Sequence, residues 1–169
     1  MMCSIGLNPS RATEIVDDNT IRKERGFSLR LGYKQDGEMG ATFGTSVGGY
    51  ARFRYMLTRP GLIKPNLFPL RSTDPRGLLA AHDRNEAITD EINRTAILEA
   101  ARKAEIVICA WGGPYHPTRL QSLIEIEAER IVIMLRGAGI ELFAFAFTKS
   151  GGCRHPLYLP NDTKPIRWK

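Results

Sequence analysis

The length, composition and charge of the chain fit one globular domain. It has 169 residues, 43% of them hydrophobic and 25% charged, which argues against global disorder. The formal net charge of +6 is compatible with a polyanionic partner, although many proteins carry such a charge without binding nucleic acid.

The cysteines and the hydropathy of the chain indicate whether to expect a metal site and in which cellular compartment to expect the protein. The three cysteines, Cys3, Cys109 and Cys153, form no CxxC or Cys/His pattern, so we expect no zinc or other metal, and no cofactor. An odd count without a disulfide framework favours a reducing cytosol. The chain shows no signal-peptide pattern and its apolar runs are too short to span a bilayer, so we expect a cytoplasmic protein away from the membrane.

Four apolar runs are predicted to form strands, because each is short and ends in a turn-forming or polar segment. They cover residues 1–7, 62–68, 105–110 and 140–147. The spacing of apolar residues predicts three helices, with Asp18 or Asn19 as the N-cap of the first. These helices cover residues 20–31, 83–103 and 118–136. The predicted buried stripe of the second is Ile88, Ile92, Thr95 or Ala96, and Glu99 or Ala100.

The alternation of strands and helices predicts an α/β fold, a three-layer α/β/α sandwich around a central four-stranded parallel sheet. We expect a single domain over residues 1–169, with a flexible insertion at 34–60, and a long glycine-rich loop is predicted at 33–50. In Tyr50–Tyr55, Arg52 and Arg54 alternate with aromatic residues. This pattern suits nucleic-acid contact, or else an amphipathic element that packs its aromatic side chains inward.

Polar or glycine-rich residues follow each predicted strand. Asn8 comes after the first strand, Asn66 lies at the end of the second, and His155 follows the fourth. Because parallel strands bring their carboxyl ends to one edge of a sheet, these three side chains are expected to line a common crevice. The alternatives are structural. Asn8 could cap a turn, Asn66 could satisfy backbone groups, and His155 could fix a loop.

The ordered set of strand-end motifs resembles the bacterial domain-of-unknown-function family 1643, outside residues 34–60. The matching segments are Leu7-Asn8-Pro9-Ser10, Asp17–Arg22, Asn66–Pro75, Ala110-Trp111-Gly112 and His155–Pro160. This resemblance implies no activity.

The same succession is similar, more distantly, to the uracil-DNA glycosylase superfamily. That resemblance implies a glycosylase-like fold in which Asn8 positions the attacking water, Asn66 reads the base edge and His155 stabilises the departing base. It also implies that Leu159 is a wedge that enters the duplex. Further substrate-binding residues would be Pro9, Ser10, Phe68, Trp111 and Gly112, and nucleic-acid contacts would be Arg52, Arg54, Arg71 and Arg154.

Two classes of function follow from these residues. The first is an enzyme that hydrolyses the N-glycosidic bond of a base in DNA; a small-molecule hydrolase acting on a nucleotide-derived substrate is a variant of it. The second is a non-catalytic module that binds a nucleotide or nucleic acid. An asparagine can orient water through its carbonyl oxygen but is a poor base, which favours the binding module. The stacking aromatic stays open among Phe27, Phe43 and Phe53. Trp111 could belong to the core, and Asp17 and Asp18 could cap a helix rather than act as a base.

Overall fold

A computed structural model describes residues 1–9, 12–13, 15–34, 38–44 and 53–169. Its elements are those of a mixed α/β protein. The strands are β1 (Met2–Ile5), β2 (Gly40–Gly44), β3 (Phe53–Arg59), β4 (Leu62–Pro65), β5 (Ile106–Cys109), β6 (Leu142–Ala144) and β7 (Ile166–Arg167). The helices are α1 (Asn19–Arg30), α2 (Arg76–Asp83), α3 (Glu91–Arg102) and α4 (Thr118–Gly137), followed by a short 3₁₀ helix, Pro156–Tyr158.

The four strands predicted from apolar runs are present and form the parallel centre of the sheet. β1 pairs in parallel with β4 on one side and with β5 on the other, and β5 pairs in parallel with β6. β1 and β4 are buried along their whole length, as expected for strands that are covered on both faces.

The sheet is wider than the four-stranded parallel sheet that was predicted. Within the described residues it has seven strands, in the order β2-β3-β4-β1-β5-β6-β7, and the three additional strands are antiparallel. β2 and β3 fall within the segment 34–60 that was expected to be a flexible insertion, and β3 pairs with the outer edge of β4. The glycines of β2 carry no side chains that could give an alternating hydrophobic pattern, so the sequence alone does not reveal this strand.

The helices cover both faces of the sheet and give three layers. On one face, Phe27 of α1 stacks on Phe145 with ring centroids 4.2 Å apart, in a cluster that includes Met2. On the other face, α2, α3 and α4 pack on side chains such as Cys3 and Val107. Alternate residues of each strand therefore enter different cores, as strand geometry requires.

The first and last predicted helices agree with the structure. Asp18 caps α1 by accepting a hydrogen bond from the backbone N–H of Ile21 at 2.9 Å. α4 begins at Thr118 as predicted, and its predicted stripe is buried. This stripe is Leu120, Ile124, Ala128, Ile131 and Leu135.

The predicted helix over residues 83–103 is wrong in its start, and its predicted stripe is only partly buried, at Ile88 and Ala100. α2 ends at Asp83, and α3 begins only at Glu91, with Asp90 as its N-cap. Ile92 lies at the surface, whereas Asn93 is fully buried. Asn93 is turned inward because its amide binds backbone carbonyl groups at the end of β4, a long-range contact that hydrophobic spacing does not report.

Candidate functional site

A cavity of about 450 Å³ opens at the carboxyl ends of the parallel strands. It is lined by Asn8, Asn66 and His155, the three side chains that the sequence predicts to share a crevice, and by Arg54 and Arg154. The backbone pairing of β1 with β4 continues past the strand ends and brings Asn8 and Asn66 together. The N–H of Leu67 donates to the carbonyl of Gly6 at 2.9 Å, and the N–H of Phe68 donates to that of Leu7 at 2.9 Å.

Asn8 uses the nitrogen of its amide to hold the surrounding loops. Its Nδ2 donates to the carbonyl oxygen of Ser72 at 2.7 Å and to that of Pro9 at 3.2 Å. Both amide hydrogens are therefore occupied, and no described residue donates a hydrogen bond to Oδ1. Asn8 therefore has the structural role that was one of its two alternatives from sequence, and its role in positioning water stays a prediction.

Asn66 is 2% exposed, yet its side-chain amide makes no hydrogen bond within the described residues. The backbone around it is held from α3, where Nδ2 of Asn93 donates to the carbonyl oxygens of Asn66 at 3.1 Å and Leu67 at 2.8 Å. A buried amide ordinarily finds a partner inside the protein. The Asn66 amide instead lines the cavity, where it presents one acceptor and two donor hydrogens.

His155 is held as a neutral donor. Its Nδ1 accepts a hydrogen bond from the backbone N–H of Leu157 at 3.3 Å, which places the proton of the neutral ring on Nε2. Burial and the nearby charge of Lys64 lower the pKa of His155 from 6.5 to about 4, and Asp18 opposes that shift. Gly112, with a φ of 80°, permits the approach of this residue, because a Cβ there would lie 2.8 Å from the His155 Cβ.

Lys64 lines the floor of the cavity and belongs to a group of three buried polar side chains, with Glu24 and Ser4, that the sequence patterns did not indicate. The Nζ of Lys64 donates to Oε1 of Glu24 at 2.8 Å, and the hydroxyl of Ser4 donates to the same oxygen at 2.8 Å. Burial raises the pKa of Glu24, against the opposing effect of Lys64. A lysine between Ile63 and Pro65 in an apolar run is the signal that could have indicated this group.

The mouth of the cavity carries two tyrosines that the sequence reading did not select. Tyr158 is 76% exposed, and its ring centroid lies 5.8 Å from that of His155. Tyr115 is partly buried, and its hydroxyl donates to the carbonyl of Trp111 at 2.6 Å. Both tyrosines line the cavity, whereas Phe27 packs in the core. The side chains of Phe43 and Phe53 lie outside the part of the chain that the structure describes.

Several residues expected to bind substrate do not line this cavity. Phe68 and Trp111 pack in the main core and Pro9 is buried, whereas Arg71 is exposed beside a separate depression. Ser10 and Arg52 lie outside the described residues.

The expected role of Leu159 as a wedge is not compatible with its position. This side chain is 5% exposed and belongs to the core cluster on the α1 face, so it is not at the surface where a duplex could meet it. The turn of the 3₁₀ helix projects its neighbour Tyr158 outward instead. Of the two arginines in the cavity wall, Arg154 is exposed and Arg54 is buried, with its guanidinium donating to the carbonyl of Ala12.

A family model described as "Protein of unknown function (DUF1643)" matches residues 52–157. The chain belongs to the DUF1643 family. The DUF1643 match includes Asn66 and His155, begins after Asn8 and ends before Leu159. It also includes residues 52–60, which belong to the segment predicted to be an insertion outside the resemblance. No curated protein and no solved structure matches the chain.

Two further observations bound the chemistry within the described ranges. No cluster of three or more His, Cys, Asp or Glu side chains there is arranged to hold a metal ion. Helices in the same ranges are all too short or too polar to span a lipid bilayer.

Proposed function

We propose that this protein hydrolyses the N-glycosidic bond that joins a nucleobase to deoxyribose in DNA. The observation that carries the proposal is the convergence of three complementary groups on one cavity: the Asn8 carbonyl oxygen, the Asn66 amide and the Nε2–H of His155. The cavity volume of about 450 Å³ lies within the usual range for small-ligand sites and leaves room for a base with part of its sugar.

The reaction assigns one role to each group. The bond between C1′ and the base nitrogen breaks, and both of its electrons leave with the base. A water molecule held by Oδ1 of Asn8 forms the new bond to C1′. That water gives up one proton and the departing base gains one, so the products are the free base and an abasic sugar. Because asparagine is a poor base, it orients the water instead of deprotonating it.

His155 supports the departure of the base. Negative charge develops on the carbonyl oxygens of the base as the bond breaks, and a fixed donor aimed at such charge lowers the barrier. A neutral imidazole with its proton on Nε2 is such a donor, and the pKa of about 4 keeps it in that form at neutral pH. Asn66, with both donor and acceptor, reads the hydrogen-bonding edge of the base.

The base reaches the cavity from single-stranded DNA or after it is flipped from a duplex. Arg154 and Tyr158 at the exposed mouth suit contacts to a phosphate and to the face of a base, respectively. With Leu159 in the core, Tyr158 is the residue of that segment that is available to fill the space left by a flipped base.

A second candidate is a non-catalytic module that binds a nucleotide or nucleic acid through the same cavity. The observation that favours it is the state of Asn8, whose amide nitrogen is committed to Ser72 and Pro9 and whose oxygen has little basicity. This candidate keeps the roles of Asn66 and His155 in recognition and removes only the attack by water.

The test is the release of base from DNA that contains uracil, single-stranded and double-stranded, measured as abasic sites. We expect release by the wild type and a loss of at least about 100-fold in Asn8→Ala, because the attacking water loses its orienting oxygen. Asn161→Ala, which removes a surface asparagine outside the cavity, is the matched control and should release base as the wild type does. Salt-sensitive DNA binding without release would support the binding module instead.

A further inference from the structure

Lys64 presents an under-used ammonium group to the inner end of the cavity. The residue is 7% exposed, and its Nζ donates to Oε1 of Glu24 at 2.8 Å. An ammonium group carries three donor hydrogens, and no other hydrogen bond of Nζ is found within the described residues. Nζ therefore has donor capacity left in a position where water is largely excluded, at the wall of the cavity.

The ammonium of Lys64 lies beside the amide of Asn66. Both groups lie close to Gly6, because a Cβ built on Gly6 would lie 2.6 Å from Nζ of Lys64 and 2.6 Å from Oδ1 of Asn66. The absence of a side chain at this residue thus leaves room for both polar ends at the floor. Two nearly buried side chains with unused hydrogen-bonding capacity meet there, and a ligand with complementary atoms would satisfy both.

We propose that Lys64 is a specificity-determining residue that donates a hydrogen bond to a carbonyl oxygen of the bound base. This inference rests on the proposed function. An ammonium group donates hydrogen bonds and does not accept them. A base with an exocyclic amino group at that position would place its own N–H donors against the ammonium, and no hydrogen bond could form. During cleavage the same donor stabilises the charge that develops on that oxygen. Glu24 is a positioning residue, since it holds the ammonium and is itself held by Ser4.

The test measures the affinity of the protein for free uracil and for its two analogues in which one oxygen becomes an amino group, cytosine and isocytosine. We expect the wild type to bind uracil and to discriminate against one of these analogues by about tenfold or more, the typical effect of a hydrogen bond to a charged group. Lys64→Met/Glu24→Gln removes the ammonium without leaving an unpaired buried carboxylate. In this variant uracil binds about tenfold more weakly, and the discrimination disappears.

Two further variants keep the result interpretable. Arg94→Met/Glu127→Gln removes a buried ion pair between α3 and α4, away from the cavity, and should bind all three bases as the wild type does. Gly6→Ala retains both Lys64 and Asn66 but displaces their ends, so it should also weaken uracil binding.

The outcomes separate this inference from the proposed function. If the wild type binds uracil and releases it from DNA, but Lys64→Met/Glu24→Gln and Gly6→Ala keep the affinity and discrimination of the wild type, the role of Lys64 is overturned and the proposed function stands. If the wild type neither binds the bases nor releases uracil, both fail.

Discussion

Two neighbouring buried asparagines differ in how the protein uses them. Asn93 is fully buried, and its amide nitrogen donates to two backbone carbonyl oxygens at the end of β4. One of these carbonyl oxygens belongs to Asn66. The side-chain amide of Asn66 itself has no hydrogen bond within the described residues. The first asparagine holds the fold, and the second is held by the fold in a position where a ligand can bind it.

Two ion pairs with a buried carboxylate, Arg94–Glu127 and Lys64–Glu24, differ in the same way. Glu127 on α4 receives two hydrogen bonds from the guanidinium of Arg94, at 2.9 and 3.1 Å, and the pair joins two helices. Glu24 binds Lys64, whose ammonium also faces the cavity, and Oε2 of Glu24 is buried without a partner among the described residues. Lys64 and Asn66 leave hydrogen-bonding capacity unused at the cavity, as expected of a preorganised binding site. Buried polar atoms without a partner among the described residues also occur away from it, at Oγ1 of Thr89 and Oδ1 of Asn93.

The largest contrast is expected when the same substitution is made at both asparagines. Asn93→Leu leaves the carbonyl oxygens of Asn66 and Leu67 buried without their donor, so we expect the free energy of unfolding to fall by about 2–4 kcal/mol. Denaturant unfolding measures this loss. An unchanged unfolding midpoint would show that the bonds from Asn93 do not hold the end of β4.

Asn66→Leu is the matched counterpart. It removes no hydrogen bond within the described residues, so the free energy of unfolding should change by less than about 1 kcal/mol, while the affinity for uracil falls by at least about tenfold. A variant that loses stability but retains the affinity of the wild type would assign Asn66 to the fold and contradict the distinction between the two asparagines.

A smaller effect is expected from the titration of His155. Its pKa is about 4 in the folded protein against an ordinary 6.5, so between these values the unfolded chain binds a proton that the folded protein does not. Stability from this residue is therefore present above pH 6.5 and is lost as the pH falls toward 4. The fall in unfolding free energy from pH 7 to pH 5 should be smaller in His155→Gln than in the wild type. An NMR titration midpoint near 6.5 for the His155 ring would contradict the lowered pKa and the neutral state at pH 5.

Local signals predict much of the architecture. The four parallel strands are short apolar runs that end in polar turns, and the N-cap of α1 and the buried stripe of α4 are similarly local patterns. Asn8, Asn66 and His155 come from the same signal, because each follows or lies near the end of a parallel strand, and topology then brings them to one edge.

The missed features depend on partners that are distant in the sequence. β3 is a strand because it pairs with β4, and Asn93 is buried because it bonds to the chain near Asn66. Lys64 is buried because Glu24, 40 residues away, provides its counter-charge. Leu159 and Tyr158 are adjacent, and only the turn of the 3₁₀ helix determines which of them faces the core. Amino-acid composition and hydrophobic periodicity do not indicate which distant residues will pair.

The most direct test of a base-binding site built by Asn8, Asn66 and His155 is a crystal structure of the protein with free uracil. We expect uracil in the cavity, with its edge hydrogen-bonded to the Asn66 amide and a carbonyl oxygen within hydrogen-bond distance of Nε2 of His155. Uracil bound elsewhere, or a cavity that holds only water at saturating uracil, would contradict the account.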